Sequence, residues 1–172
     1  MIVVVMTTYA PGPERAAYAP QVLDSLIKHL RTTENVRLHI ADDGSYDTKY
    51  LHALAEQAER AWGTVVSISN ANRKGIGGSL NQAMRAVSLM DLWLYITDDW
   101  VLTGPLDLSI PVWLLRDYGT SYVRLGPLHP NLRGYTRHHD GKWWRDLDAL
   151  YGGYAFATRP FLATKHFYDE VG

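Results

Sequence analysis

The sequence predicts an α/β fold: a mostly parallel central sheet, helices on both faces, and a mixed C-terminal half. Three observations lead there. Unbroken apolar runs at residues 2–6 and 92–96 read as strands buried on both faces, and residues 36–40 read as a further strand between them. Between them the apolar residues change to helical spacing. The last of these strands runs straight into two adjacent carboxylates, Asp98 and Asp99, which puts acids at the carboxyl edge of a parallel sheet, where open α/β sheets bind ligands.

Each element has its own reason. Residues 2–6 are mostly β-branched and form the first strand. Residues 7–13 carry Pro and Gly and read as a loop. Pro20 suits a first helical position, and Val22, Leu23, Leu26, Ile27 and Leu30 follow helical spacing after it. Residues 36–40 form a second strand, ended by Asp42-Asp43-Gly44-Ser45. Leu51, Leu54, Ala55, Ala58 and Trp62 mark a second helix, and residues 65–68 a third strand. Residues 70–78 form a polar loop with three glycines, and Ile76, Leu80, Ala83 and Val87 start a third helix in it or just after it. Strands alternating with helices imply right-handed crossovers in a parallel sheet.

The alternation stops near residue 104. Pro105, Pro111, Pro127 and Pro130 punctuate irregular chain, residues 121–125 form a strand, and residues 135–144 form a hairpin turning at Asp140-Gly141. Residues 161–167 form a short helix after Pro160. The expected organisation is one domain over residues 1–172, with a nucleotide-type half at 1–104 and a mixed second half at 105–172.

Composition narrows the function. A chain of 172 residues, 47% hydrophobic, can bury a core, and long disorder is not expected. A net charge of −1 advertises no positive field for nucleic acid. With no cysteine, disulfides, zinc–thiolate sites and thiol nucleophiles are excluded. No stretch approaches the roughly 20 apolar residues of a membrane span, and residues 1–6 lack a signal-peptide pattern, so a soluble, cytoplasmic chain is expected.

The residues that carry chemistry gather in four loops. Thr7-Thr8-Tyr9, Asp42-Asp43-Gly44-Ser45 and Thr97-Asp98-Asp99 each follow a strand and so emerge at one edge of a parallel sheet. Thr8 and Tyr9 suit a base, by bonding or stacking. Adjacent carboxylates suit a hard divalent cation held against a phosphate. The fourth loop, residues 70–78, enters a helix; its Arg73 and Lys74 suit a diphosphate, and its glycines permit close backbone approach. It lacks the Gly-Lys-Ser/Thr ending of a Walker A loop. Downstream, Arg133, Tyr135, Arg137, Lys142, Trp143, Trp144 and Arg145 interleave basic and aromatic residues, a candidate platform for a glycan ring or, less strongly supported, nucleic acid. His138 and His139 are neighbours on a strand, so they do not share one ion.

In this order the motifs resemble the family 2 glycosyltransferases of the Rossmann-like GT-A fold. Val4-Val5-Met6-Thr7-Thr8-Tyr9 resembles their opening strand and base-binding turn. Asp42-Asp43-Gly44-Ser45 matches their Asp-Asp-Gly-Ser segment. Asn72-Arg73-Lys74-Gly75 with Leu80-Asn81-Gln82-Ala83 resembles the donor loop and its helix. Thr97-Asp98-Asp99 stands where the family carries its Asp-x-Asp metal motif. Looser matches follow at residues 152–159 and at Phe167-Tyr168-Asp169-Glu170.

The resemblance implies that Thr8, Tyr9 and Asp43 hold a nucleobase, usually uracil, that Arg73 lies near the base or phosphates, and that Asp98 faces the ribose or sugar. It implies Asp99 as the ligand of Mn²⁺ or Mg²⁺ on the diphosphate. The implied reaction moves a sugar from a nucleotide-diphosphate donor, a UDP-sugar, to a hydroxyl acceptor with inversion. Trp143 and Trp144 are the expected acceptor surface. Three departures stand out. Thr97 replaces the first acid of the metal motif, and Ala10 replaces an Asn. The family's usual base segment would begin where residue 172 stands. The base is therefore sought among Asp146, Asp148, Asp169 and Glu170, or in a larger assembly of which these residues are a fragment; the second case would leave a catalytically incomplete nucleotide-sugar-binding domain.

Overall fold

The computed structural model describes residues 1–87, 92–125, 134–139, 142–147 and 160–171. Strand β1 (Ile2–Thr8) is buried along its whole length. It lies between β3 (Val36–Asp42) and β5 (Leu92–Thr97) and is parallel to both. Strand β4 (Ser67–Asn70) adds in parallel outside β3. On the other side, β10 (Phe161–Thr164) runs antiparallel to β5 and to β7 (Tyr122–Arg124). Among the described residues this makes a six-stranded sheet of order β4-β3-β1-β5-β10-β7. The parallel part and the antiparallel C-terminal strands match the expected mostly parallel sheet with a mixed second half.

The pleat of β1 divides the core into two layers. Ile2, Val4 and Met6 pack with Val22, Leu23 and Leu26 of α2 (Tyr18–His29), Leu51, Leu54 and Ala58 of α3 (Lys49–Trp62), and Leu115 of α5 (Ser109–Arg116). Val3 and Val5 pack on the opposite face with Ala83 and Met84 of α4 (Gly75–Ala86) and with Trp93, Tyr95 and Phe161. Phe167 and Tyr168 of α6 (Lys165–Val171) close that layer, Tyr168 edge-on to Trp93 at 5.6 Å. Helices thus cover both faces. Each fully buried Val, Leu or Ile contributes about 1.5–3 kcal/mol of transfer free energy, so two apolar layers around a parallel sheet are the main cohesive force.

Several boundaries differ from the sequence expectation. The 65–68 strand is displaced to Ser67–Asn70, with Val65 78% exposed. It is an edge strand, and its serines are held by β3: the ring of His39 bonds Ser67 Oγ at 2.7 Å and Ser69 Oγ at 2.9 Å. Thr7 and Thr8 belong to β1 rather than to a loop. Pro20 sits in the third position of α2, and Pro111 in the third of α5, a helix where irregular chain is expected from the sequence. Both prolines fall within the first turn, whose N–H groups have no helical acceptor. Leu30 leaves α2 to pair as β2 (Leu30–Arg31) with β6 (Leu106–Asp107). The expected helix at 161–167 begins only at Lys165; Phe161, Leu162 and Ala163 are a strand, clamped between β5 and β7. The hairpin is present as β8 (Gly134–His139) and β9 (Lys142–Leu147), His139 opposite Lys142, with Asp140 and Gly141 outside the described residues.

Candidate functional site

After β1 the chain builds β3 and β4 on one side, then returns to place β5 on the other. The order of the parallel strands therefore reverses between β1 and β5, and the loops leaving their carboxyl ends diverge there. A cavity of about 300 Å³ opens at that point. Thr7, Thr8 and Tyr9 line it from β1, Thr97, Asp98, Asp99 and Trp100 from β5, and Asp43 from β3. Ile76 and Ser79 reach it from α4, and Arg15 from α1 (Pro13–Ala16).

The two acids after β3 do different work. Asp42 is fully buried. Its Oδ2 accepts the N–H groups of Gly44 and Ser45 and the Asn70 amide, each at 3.0 Å, and its Oδ1 accepts the Ser45 hydroxyl. Ser45 Oγ in turn accepts the Ala10 N–H at 2.8 Å and meets the Tyr50 hydroxyl at 2.8 Å, and Tyr50 also meets Thr8 Oγ1 at 3.1 Å. A buried carboxylate satisfied this fully fixes three loops at once. Asp43 turns toward the cavity instead. Both its oxygens accept the N–H of Gly75, at 3.1 and 3.0 Å, the first residue of α4. That places a negative charge on the positive end of the helix.

Between these anchors, Asn72 and Arg73 have φ of +53° and +62°. Non-glycine residues rarely adopt this region. Here the Asn70 side chain accepts the Asn72 N–H at 2.7 Å, and the Asp43 carbonyl accepts the Arg73 N–H at 3.1 Å. Gly44, itself at φ +85°, lies so close that a Cβ would sit 3.0 Å from Arg73 Cγ.

The acids after β5 also differ. Asp98 is 3% exposed. Its Oδ2 accepts Thr8 Oγ1–H at 2.9 Å and the Tyr9 N–H at 3.3 Å, and its Oδ1 accepts Arg15 at 2.6 Å. Burial pushes its carboxyl above the ordinary aspartate value, against the pull of Thr8, Arg15 and the Tyr9 N–H. Asp99 is half exposed, with the Thr97 hydroxyl donating to its Oδ1 and Arg15 3.7 Å from its Oδ2. Behind them, burial raises the Tyr95 hydroxyl, which meets Thr7 Oγ1 at 3.2 Å.

No group of three or more His, Asp or Glu among the described residues is arranged to hold a metal by itself. Asp99 nevertheless presents a carboxylate at the cavity mouth beside Asp98. One or two carboxylates, with water and substrate phosphate completing the shell, suit Mg²⁺ or Mn²⁺. The donor set therefore fits an ion that is finished by a bound phosphate.

The structure brings Thr8, Tyr9, Asp43, Asp98 and Asp99 to one cavity. Arg73 is exposed beside Gly44 and is not in the lining. Asp169 is exposed on α6, paired with Lys165, and is likewise outside the lining. Glu170 follows it on α6. Asp146 lies on β9 opposite Tyr135, and Trp143 and Trp144 lie opposite His138 and Arg137. Asp148 and residues 152–159 fall outside the described residues. Sequence reasoning missed Arg15 and Ser79, and named Asp42 within the Asp-Asp-Gly-Ser segment without giving it a role of its own. Ser79 Oγ is buried in the cavity wall with no hydrogen-bond partner among the described residues. Helical spacing places Ser79 on the face of α4 that carries Ala83, which was the available signal; nothing local marks Arg15.

The family model described as Glycosyl transferase family 2 matches residues 3–145. No curated protein matches the chain. Among solved structures, the mannosyltransferase PcManGT from Pyrobaculum calidifontis, in complex with GDP-Man and Mn²⁺, superposes with a TM-score of 0.64 at 14% identity, over 99% of this chain and 46% of that one. The galactosyltransferase LgtC, with donor and acceptor sugar analogs, gives 0.55 at 14% identity, over 100% and 60%. S. aureus TarS 1–349 in complex with UDP gives 0.56 at 17% identity, over 79% and 38%. The likeness shows a shared GT-A fold. The chain spans less than two thirds of each of these three proteins.

Proposed function

The chain belongs to glycosyl transferase family 2, and from that premise we propose that the β1–β5 cavity binds a nucleotide-sugar donor, of UDP type, for transfer of its sugar to a hydroxyl acceptor. The observation that carries this reading is the convergence of Thr8, Tyr9, Asp43, Asp98 and Asp99 on one cavity at the point where the strand order reverses. Complexes of similarly folded proteins with UDP and with GDP-Man and Mn²⁺ support it.

In this reading Tyr9, 40% exposed at the rim, and Asp43 receive the base. Asp98, fixed by Thr8 and the Tyr9 N–H, sets the position of Asp99. Asp99 holds Mn²⁺ or Mg²⁺ against the diphosphate, and the ion would neutralise the charge that grows on the leaving diphosphate. Direct displacement would invert the anomeric carbon, with a carboxylate taking the acceptor proton. Because Asp169 is paired with Lys165 away from the cavity, Asp146 and Asp148 are the better candidates for that base. The acceptor would lie over the second half of one domain, against Trp143 and Trp144 of β9.

One rival has a specific basis. The chain spans only 38–60% of the three compared proteins, and Asp169, the candidate base whose side chain is described, does not line the cavity. That favours a nucleotide-sugar-binding piece of a larger glycosyltransferase. Calorimetry with UDP and GDP, with and without Mn²⁺, followed by a donor-turnover assay, separates the two. Binding with turnover supports the enzyme, binding without turnover supports the piece, and no binding overturns both.

A further inference from the structure

Arg15 supplies the positive charge of the cavity. It is the one cation among the described lining residues, against Asp43, Asp98 and Asp99. One of its nitrogens, Nη2, lies 2.6 Å from Asp98 Oδ1 and 3.7 Å from Asp99 Oδ2. The guanidinium therefore sits on the same pair of carboxylates that a divalent ion would use. Its other contact is the ring of Tyr18, whose centroid is 4.9 Å from Cζ. The side chain comes from a four-residue helix and is 31% exposed, so part of it stays open to solvent.

A guanidinium carries five N–H donors in a planar fork that matches phosphate oxygens. Arg15 spends one nitrogen on the acids and leaves Nη1 and Nε without a partner among the described residues. A cavity lined by three acids repels a diphosphate, so the bound nucleotide needs every cation within reach. A divalent ion on Asp99, in turn, repels a guanidinium held 3.7 Å from that carboxylate.

We propose that Arg15 binds the donor diphosphate and couples nucleotide binding to cation binding: it holds Asp98 and Asp99 before the nucleotide arrives, and turns its fork to the phosphate when a divalent ion takes the carboxylates. This rests on the donor reading above. It adds a residue from α1 to the site and makes cation and nucleotide each favour the other.

The test uses the full 172-residue chain with Arg15→Met and Arg15→Lys, titrated with Mn²⁺ alone by electron paramagnetic resonance and with UDP at saturating Mn²⁺ by calorimetry. Thermal melts check that each variant is folded. Arg15→Met is expected to bind Mn²⁺ alone several-fold more tightly and to bind UDP about tenfold more weakly, since a charge-assisted phosphate contact is lost. Arg15→Lys, which keeps the charge without the fork, is expected to fall between. If wild type binds UDP with Mn²⁺ and both affinities are unchanged in Arg15→Met, the inference is overturned and the donor reading stands. If wild type binds neither UDP nor GDP, the donor reading fails and this inference with it.

Discussion

The carboxylate of Asp43 accepts the Gly75 N–H through both oxygens, at 3.1 and 3.0 Å, and so joins the loop after β3 to the first residue of α4. The same side chain lines the cavity. One residue thus sets a helix entrance and faces the ligand.

The first prediction follows from that dual position. An aspartate can accept the uracil imide N–H, and a site built on such a bond discriminates against bases that leave it unmade. Wild type is expected to prefer UDP to CDP, whose cytosine lacks that N–H, and Asp43→Ala to lose that preference. Calorimetry with both nucleotides reads it; equal affinity of wild type for the two removes the nucleobase role from Asp43.

Asp99 is half exposed, and among the described residues the Thr97 hydroxyl is the one uncharged donor to its carboxylate. Asp99→Ala is expected to change stability by no more than about 0.5 kcal/mol, as at other exposed positions. It is expected to abolish the Mn²⁺ dependence of UDP binding. A variant whose UDP affinity still rises with Mn²⁺ as in wild type would show that another group holds the ion.

Gly44 combines a φ of +85° with a tight neighbour at Arg73. A side chain in that conformation costs about 1–2 kcal/mol. The Arg73 backbone nitrogen, 3.2 Å from the position of a Cβ, cannot move aside without disturbing its bond to the Asp43 carbonyl. Gly44→Ala is expected to lose at least that much stability in urea unfolding and to weaken UDP binding. A variant as stable as wild type would mean that the loop relaxes freely.

His39 gives a pH dependence. It is buried, and burial pushes its pKa from the usual 6.5 down to about 4. The unfolded chain therefore binds a proton at a higher pH than the folded one. Stability from the neutral ring is complete above pH 6.5 and is lost as pH falls toward 4. The loss from this group is about 3 kcal/mol, since each tenfold difference in proton affinity between the folded and unfolded chain is worth about 1.4 kcal/mol. Urea titrations of wild type and His39→Gln between pH 7 and 4 measure it; parallel slopes for the two would assign the pH dependence elsewhere.

The sequence by itself determined the alternation of buried strands and amphipathic helices through β5, because hydrophobic period is a local property. It also put Thr8-Tyr9, Asp43 and Asp98-Asp99 at one sheet edge, since residues that follow parallel strands share an edge whatever their separation. The strand at 161–164 was not legible: three consecutive buried residues look alike in a helix and in a strand between two others, and only pairing with β5 and β7 separates them. Nor does a sequence tell which of two adjacent acids is buried. Tertiary structure made Asp42 the anchor of three loops and Asp43 the cavity residue. It buried Asp98 beneath Thr8 and left Asp99 open. It also brought Arg15 across 83 residues to Asp98, a contact set by where α1 packs and by no local pattern. The chemistry of the site depends on these distinctions of burial and charge pairing, which arise from contacts between segments far apart in the chain.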